Sequence, residues 1–488
     1  MPKPNLIYIL ADDMGYGDVK HLNKDCKIPT PHLDRLGREG MSFSDAHSSS
    51  SVCTPSRYSI LTGKYCWRTY LKKGVLSATS DSLLEKGELT LASMLKGSDY
   101  KTACIGKWHL GWKWAVKEGV EKTDENDLDG KKEWIDYTKP IEDGPIDCGF
   151  EEFYGICGSL DMPPYIYVDG NMPVGEATDW GTAEEFYRAG PREPSFRAQN
   201  MLGEITDKAL EYIEKQTEEN PFFLYFPLNA PHTPIKPANE FIGKSGLGEY
   251  GDFCMEVDHR VGQIIDKCVE LGIDKDTMIV FTTDNGASPM CDPYTLIEKH
   301  DHYCSHIYRG YKSDIWDGGH RIPFMVRWPN GIEANSWKNE PIGIFDMIAT
   351  MSEVCDIPLA KTEAFDAVSF APCFKNEKPM KRLLVNHSID GMFALRDGDW
   401  KLCRCSGSGG WSTPTDKEAV DKSFPDVQLY NLADDPEEKN NIAAENGERV
   451  QSMTIALHQL VRRSIKKDED WNQINWLPEI PEKYILND

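Results

Sequence analysis

The sequence predicts an α/β fold built on one large, mostly parallel sheet flanked by helices, with a smaller α+β subdomain at the C-terminal end. Three features carry this reading. Short apolar runs alternate with amphipathic helical stretches through most of the chain, as they do when helices cover a parallel sheet. Four of those runs stop abruptly at polar, ionisable residues, which puts such side chains at the ends of strands. After about residue 375 the pattern changes to a hairpin, a further short strand and a helix.

The elements follow in order. Leu6–Leu10 (LIYIL) runs into Asp12 and Asp13, and Tyr100–Ile105 runs into Lys107 and His109. Phe222–Leu228 runs into Asn229 and His232, and Met278–Thr282 runs into Asp284 and Asn285. Each run has the length and bulk of a strand buried on both faces. Residues 204–215 place Ile205, Ala209, Tyr212 and Ile213 on one helical face. Residues 253–271 do the same with Phe253, Val257, Val261, Ile264, Ile265 and Cys268, a stripe that reads as core. Residues 393–403 read as a hairpin with Asp397 and Gly398 at its turn. Residues 426–432 supply another strand and 447–465 a helix. We place the domain boundary between 375 and 376, giving domains 1–375 and 376–488. Residues 113–145 and 169–195 read as long loops, which in compact domains are often binding elements. Ligands of open α/β sheets bind beyond the carboxyl ends of the strands, so four polar strand ends predict one shared site.

Bulk properties narrow the function. Of 488 residues, 79 are acidic and 54 basic, a formal net charge of −25 that repels a nucleic-acid backbone. An anionic substrate would need a local cationic pocket to overcome that field. No apolar run reaches the roughly 18 residues that span a bilayer. The N-terminus, MPKPNLIYIL, lacks the pattern of an export signal. A periplasmic or secreted location with the signal removed is the favoured expectation; a cytoplasmic one is the alternative, permitted by the many thiols. The 14 cysteines form no metal-type CxxC pairs. If one of them does chemistry, an odd number remains, so at least one further thiol stays unpaired.

Residues 53–57 read Cys-Thr-Pro-Ser-Arg and are followed by YSILTGKY. DDMGYGD, GKWHLG (106–111), NAPHTP (229–234), TDNGA (283–287), RGYKSDIWDGGHRIP (309–323) and QLYNLADDPEEKNN (428–441) lie around them in order. On these motifs the chain resembles the type I, formylglycine-dependent sulfatases of the alkaline phosphatase superfamily. The resemblance implies that Cys53 is oxidised to formylglycine by a formylglycine-generating or sulfatase-maturating enzyme. A hydrated aldehyde there offers one hydroxyl to attack sulfur and a second whose deprotonation expels sulfate, an exit a serine lacks. The apolar run after Arg57 suggests a helix starting near Cys53, whose N-terminus favours an anion.

Asp12, Asp13, Asp284 and Asn285 are hard oxygen donors suited to calcium or magnesium. The resemblance implies calcium, with the modified Cys53 as a further ligand. Arg57, Lys107, His109, His232 and Lys312 supply the cationic pocket. By the same resemblance Arg57 holds the hydrated aldehyde, Lys107 and Lys312 bind sulfate oxygens, His232 with Lys312 protonates the leaving oxygen, and His109 collapses the intermediate. The two histidines could exchange roles.

Stretches SLDMPPYIY, FPLNAPHTPI and SGSGGWSTP are similar to bacterial relatives of galactosamine-6-sulfatases. That likeness implies exo-acting 6-O-desulfation of galactose or N-acetylgalactosamine in sulfated carbohydrates. Asp161, Trp112, His302 and His320 are candidate substrate contacts; Trp112 and Trp114 either stack on a sugar or pack in the core. His300, Asp301, His302, Cys304 and His306 read as a rim loop in preference to a transition-metal site. Two other functions compete: a phosphonate monoester or phosphodiester hydrolase on the same core, and a non-catalytic glycan-binding relative.

Overall fold

The computed structural model describes residues 3–123, 134–216 and 220–462. The middle of the 113–145 stretch and the end of the 447–465 helix therefore lie outside the described residues. The expected parallel strands form at the centre of a ten-stranded sheet. Across it lie Ser336–Lys338, Met41–Phe43, Phe324–Arg327, Thr277–Thr283, Asn5–Ala11, Phe222–Pro227, Lys101–Lys107, Glu152–Ile156, Val168–Asp169 and Met172–Pro173. Asn5–Ala11 pairs in parallel with both Thr277–Thr283 and Phe222–Pro227. Lys101–Lys107 pairs in parallel with Phe222–Pro227 and with Glu152–Ile156. The four polar strand ends are thus neighbours along the carboxyl end of the sheet.

The alternation of side chains explains the continuous apolar runs. Leu6, Tyr8 and Leu10 enter one core while Ile7, Ile9 and Ala11 enter the other, so no face of this strand meets water. The second core is closed by the helices Met201–Glu214 and Gly248–Glu270. All six residues of the expected stripe, from Phe253 to Cys268, are buried there. Gly106, just before Lys107, fits where a side chain would not: a Cβ would stand 2.0 Å from the Pro227 carbonyl oxygen of the neighbouring strand.

The C-terminal part forms a four-stranded antiparallel sheet, Leu384–His387, Phe393–Asp397, Trp400–Cys403 and Gln428–Asn431, with the helix Gly447–Arg462 against it. The expected hairpin forms with Asp397 and Gly398 leading into its turn. Residues 169–195 differ from the expected plain loop: they hold the short hairpin Asp179–Gly181 with Gly190–Arg192 and the turn of helix Ala183–Phe186. Their polar, Gly- and Pro-rich composition hid strands only two or three residues long. Among the described residues no helix is long and apolar enough to cross a membrane, and every described cysteine is unpaired.

A buried ionic cluster ties the small sheet to the helix Asp317–His320. Lys401 Nζ donates to Asp317 Oδ1 at 2.7 Å, contacts Glu438 Oε1 at 2.7 Å and lies 3.2 Å from His320 Nε2. All four side chains are at most 1% exposed. Removing one partner of such a cluster strands the others, at a cost of about 3–5 kcal/mol. Lys401→Met is therefore expected to lower the urea midpoint by that much stability, with little change in the slope of the transition. An unchanged midpoint would refute the bridging role.

Candidate active site

Cys53 begins the helix Cys53–Thr62, preceded by an extended Val52 and without a side-chain N-cap. The helix is buried along its whole length, and Cys53 is 2% exposed. Arg57 follows one turn later on the same face. Its guanidinium donates to Asp284 Oδ2 through Nε (3.0 Å) and Nη2 (2.7 Å) and to the Lys107 carbonyl through Nη1 (3.0 Å). Nη2 also lies 3.4 Å from Asp12 Oδ1. One side chain therefore joins three strand ends beneath the cysteine.

The carboxylates and amines interleave around it. Lys107 Nζ donates to Asp12 Oδ2 at 2.6 Å. Lys312 Nζ contacts both oxygens of Asp13, at 2.7 and 2.8 Å. Asn285 Nδ2 donates to Asp13 Oδ1 at 2.8 Å, and the Asp13 amide donates to Asp284 Oδ1 at 3.3 Å. Asp13 adopts φ +68°, a left-handed conformation that turns the chain at the end of its strand. His232 Nε2 is 3.6 Å from Asp13 Oδ2, and its Nδ1 lies 3.0 Å from Ser159 Oγ and 2.5 Å from the Thr233 carbonyl. His109 places Nε2 2.8 Å from the Leu76 carbonyl, while its Nδ1 is buried without a partner.

The charges set the proton affinities. Burial works against a charged Asp12, but Lys107, His232, Arg57 and Lys312 together hold its carboxyl well below the ordinary value. Burial equally opposes the charge on Lys312, and Asp13 leads the groups that hold its pKa high instead. Burial pushes the Cys53 thiol up, against Lys107 and Lys312. His109 is driven well below its ordinary value by burial, Lys107 and Arg57.

The donor set suits a hard divalent cation. Asp12, Asp13 and His232 bring ligand atoms within 4.8 Å of one another. Asp12 Oδ1 and Asn285 Oδ1 are buried without a hydrogen-bond partner, which leaves oxygen donors free at the centre of the cluster. Three carboxylates (Asp12, Asp13, Asp284) face three cations (Arg57, Lys107, Lys312), so the protein charges alone balance. A divalent cation would tip that balance towards an anionic ester.

The structure gathers Cys53, Arg57, Lys107, His109, His232, Lys312, Asp12, Asp13, Asp284 and Asn285 into this one region. It does not bring all four candidate substrate contacts there. Trp112 is 0% exposed, packed edge-on against Trp114 and Phe153, and so presents no face to a sugar. His302 is fully buried, with Nε2 2.8 Å from Asp18 Oδ1 and Cys304 beside them. His320 is buried against His47, with their Nδ1 atoms 3.0 Å apart, and joins the Lys401 cluster. Asp161 remains near the site, two residues beyond Ser159, with Oδ2 3.8 Å from Arg188.

Two further polar residues, Ser159 and Asn229, have no role in the reading from sequence. Ser159 follows the strand Glu152–Ile156, a fifth strand end that the same rule would have picked out had the EFYGI run been apolar enough to mark it. Asn229 was seen only as a strand-end residue; it is 2% exposed with neither side-chain polar atom partnered.

A mostly parallel sheet whose strand ends surround a helix-terminal cysteine with carboxylates and cations defines an esterase-type hydrolase of the alkaline phosphatase-like fold. The chain belongs to the sulfatase family, whose model matches residues 4–357, and it is a sulfuric ester hydrolase. An N-acetylgalactosamine-6-O-sulfatase of Bacteroides thetaiotaomicron is 30% identical, with 94% of each chain covered. The N-acetylgalactosamine-6-sulfatase of Mus musculus is 27% identical over 84% of this chain and 73% of that one. A Bacteroides thetaiotaomicron sulfatase structure, described under metabolism of multiple glycosaminoglycans, superposes with a TM-score of 0.81 at 28% identity, covering 94% of this chain and 99% of that one.

Proposed function

We propose that this sulfatase removes 6-O-sulfate from terminal galactose or N-acetylgalactosamine, using a formylglycine made from Cys53. The observation that carries the reading is the meeting of Cys53, at a buried helix N-terminus, with three carboxylates and three cations. The names of the relatives at 30% and 27% identity support the sugar and the position.

Asp12, Asp13, Asp284, Asn285 and the modified Cys53 would hold the divalent cation, calcium in this reading and magnesium as the alternative, which when bound polarises the sulfate and lowers the pKa of the nucleophile. The formylglycine supplies, as its hydrate, a hydroxyl for attack on sulfur. Arg57, locked on Asp284 and the Lys107 carbonyl, orients that hydrate from one helical turn away. Lys107 and Lys312 turn their ammonium groups to the sulfate oxygens. His109 donates Nε2–H to Leu76, which leaves the Nδ1 lone pair to take a proton from the second hydroxyl. His232 donates Nδ1–H to the Thr233 carbonyl beside Ser159, so it is as the imidazolium, opposed by burial and Lys312 but favoured by Asp13 and Asp12, that its Nε2 passes a proton to the departing sugar oxygen. In this reading Asp161, two residues beyond Ser159, meets a sugar hydroxyl.

The motif Cys53–Arg57 is buried and helical in the folded chain. A maturating enzyme therefore meets it before folding is complete. In this reading the enzyme works in the periplasm or outside the cell, on the terminal sugars of large glycans; a cytoplasmic enzyme acting on imported sugars is the alternative.

His232→Ala is expected to slow sulfated sugars, which have poor leaving groups, at least about 100-fold more than activated aryl sulfates. Equal loss on both would argue against a general acid. The reading as a whole is tested with sulfated monosaccharides carrying the ester at the 2-, 3-, 4- or 6-oxygen, beside an aryl sulfate and its phosphate counterpart. Preference for the 6-sulfated galactose series is expected; dominance of the phosphate ester, or of another sulfate position, would overturn it.

A further inference from the structure

The residues between the strands Trp400–Cys403 and Gln428–Asn431 reach back to the large domain. Ser408, Gly409 and Gly410 are buried, after which Trp411 emerges with half its surface exposed. The main chain here lies on the segment that carries Lys312. Ile315 N donates to the Ser408 carbonyl at 2.7 Å. Trp411 N donates to Ser313 Oγ and to Asp314 Oδ1, both at 3.1 Å, and Ser412 N donates to Asp314 Oδ1 at 3.0 Å. The other Asp314 oxygen accepts Tyr311 N at 2.8 Å. One carboxylate thus ties the residue before Lys312 to Trp411 and Ser412. Gly410 allows this approach, since a Cβ would stand 2.4 Å from the Ser313 carbonyl oxygen. Ser313 itself sits at φ +82°, held by donation of its N–H to the Ser51 carbonyl at 2.8 Å and by acceptance from Ile389 N at 3.1 Å.

The consequence is an exposed indole whose main chain is fixed on Ser313 and Asp314, the two residues that follow Lys312. Exposed tryptophan is common on mobile loops; here its amide is shared by two side-chain acceptors and the three residues before it are buried. A rigid, flat apolar face loses little entropy when it covers the C–H face of a sugar ring. In a chain of net charge −25 it also offers a neutral ring an attraction that ionic groups do not.

We propose that Trp411 is the platform for the sugar ring whose sulfate enters the Lys312 pocket, and that Asp314 is the positioning residue that fixes the two relative to each other. The proposal rests on the carbohydrate reading above. The test uses matured full-length protein with 6-O-sulfated N-acetylgalactosamine as substrate and inorganic sulfate, which has no ring, as inhibitor. Trp411→Ala is expected to raise KM for the sugar about 5- to 10-fold, with kcat little changed and the inhibition constant for sulfate unmoved; Trp411→Phe should recover most of the KM. Asp314→Ala should weaken both sugar and sulfate. An unchanged sugar KM in Trp411→Ala, or equal shifts for sugar and sulfate, would overturn the platform, and an unchanged sulfate constant in Asp314→Ala would overturn the positioning role. Wild-type protein that hydrolyses aryl sulfates but no sulfated sugar would instead overturn the carbohydrate reading, and the platform with it.

Discussion

Replacing Cys53 with alanine is expected to lower kcat for any sulfate ester by at least about 10⁴-fold, because the nucleophile is removed while the pocket remains. Alanine is a good helix former at this position, so the fold should persist. Cys53→Ser separates the aldehyde chemistry from simple nucleophilicity. A serine hydroxyl can attack sulfur but has no second hydroxyl to expel sulfate. The serine variant should therefore release about one equivalent of alcohol and then stall, with sulfate retained on the peptide that contains residue 53. Mass spectrometry of that peptide reads the outcome. Steady turnover by either variant would refute a formylglycine at this position.

The second large effect is expected at Asp284. Its Oδ2 receives two donations from Arg57, and its Oδ1 receives the Asp13 amide. Asp284→Ala leaves a fully buried guanidinium short of its main carboxylate partner, an expected loss of about 3–5 kcal/mol of stability. It also removes a proposed cation ligand. We expect kcat/KM to fall at least about 10³-fold, and the bound divalent metal, measured on the purified protein by elemental analysis, to be lost. Chelation of the wild-type enzyme should remove activity, and calcium should restore it. Full activity in metal-free protein would sink this account. A stable variant that loses metal and activity together would support it, with the folding cost assigned to Arg57.

Much of the site was legible because its residues sit where the sheet's own pattern ends. LIYIL followed by two aspartates is a strand and its polar end in one stretch of sequence. The same holds for Lys107, Asp284 and Asn285. The strand-end rule reached them from residue types alone, and the family resemblance added Lys312 and the roles. Residues outside that pattern fared worse. Trp112, His302 and His320 are aromatic or ionisable and lie close in sequence to motif residues, yet all three are buried in other clusters. Proximity along the chain does not fix which way a side chain turns once the strand has ended. Ser159 was overlooked because EFYGI mixes polar and apolar residues at a position near the sheet edge, where burial is less demanding.

The four apolar runs and their polar ends determined the fold class from local residue type and periodicity, and the motifs around Cys53 gave the reaction through their resemblance to the sulfatases. Only the tertiary structure decided how the charges are paired. Arg57 sits on Asp284 and Asp12, Lys107 on Asp12, Lys312 on Asp13, and His109 on the Leu76 carbonyl. It also decided that the C-terminal segment lies against Ser313 and Asp314, next to Lys312 in the chain, and holds the Trp411 amide there. These contacts join residues from 33 to 299 positions apart, and their geometry follows from how the strands stack and turn, which no local pattern encodes.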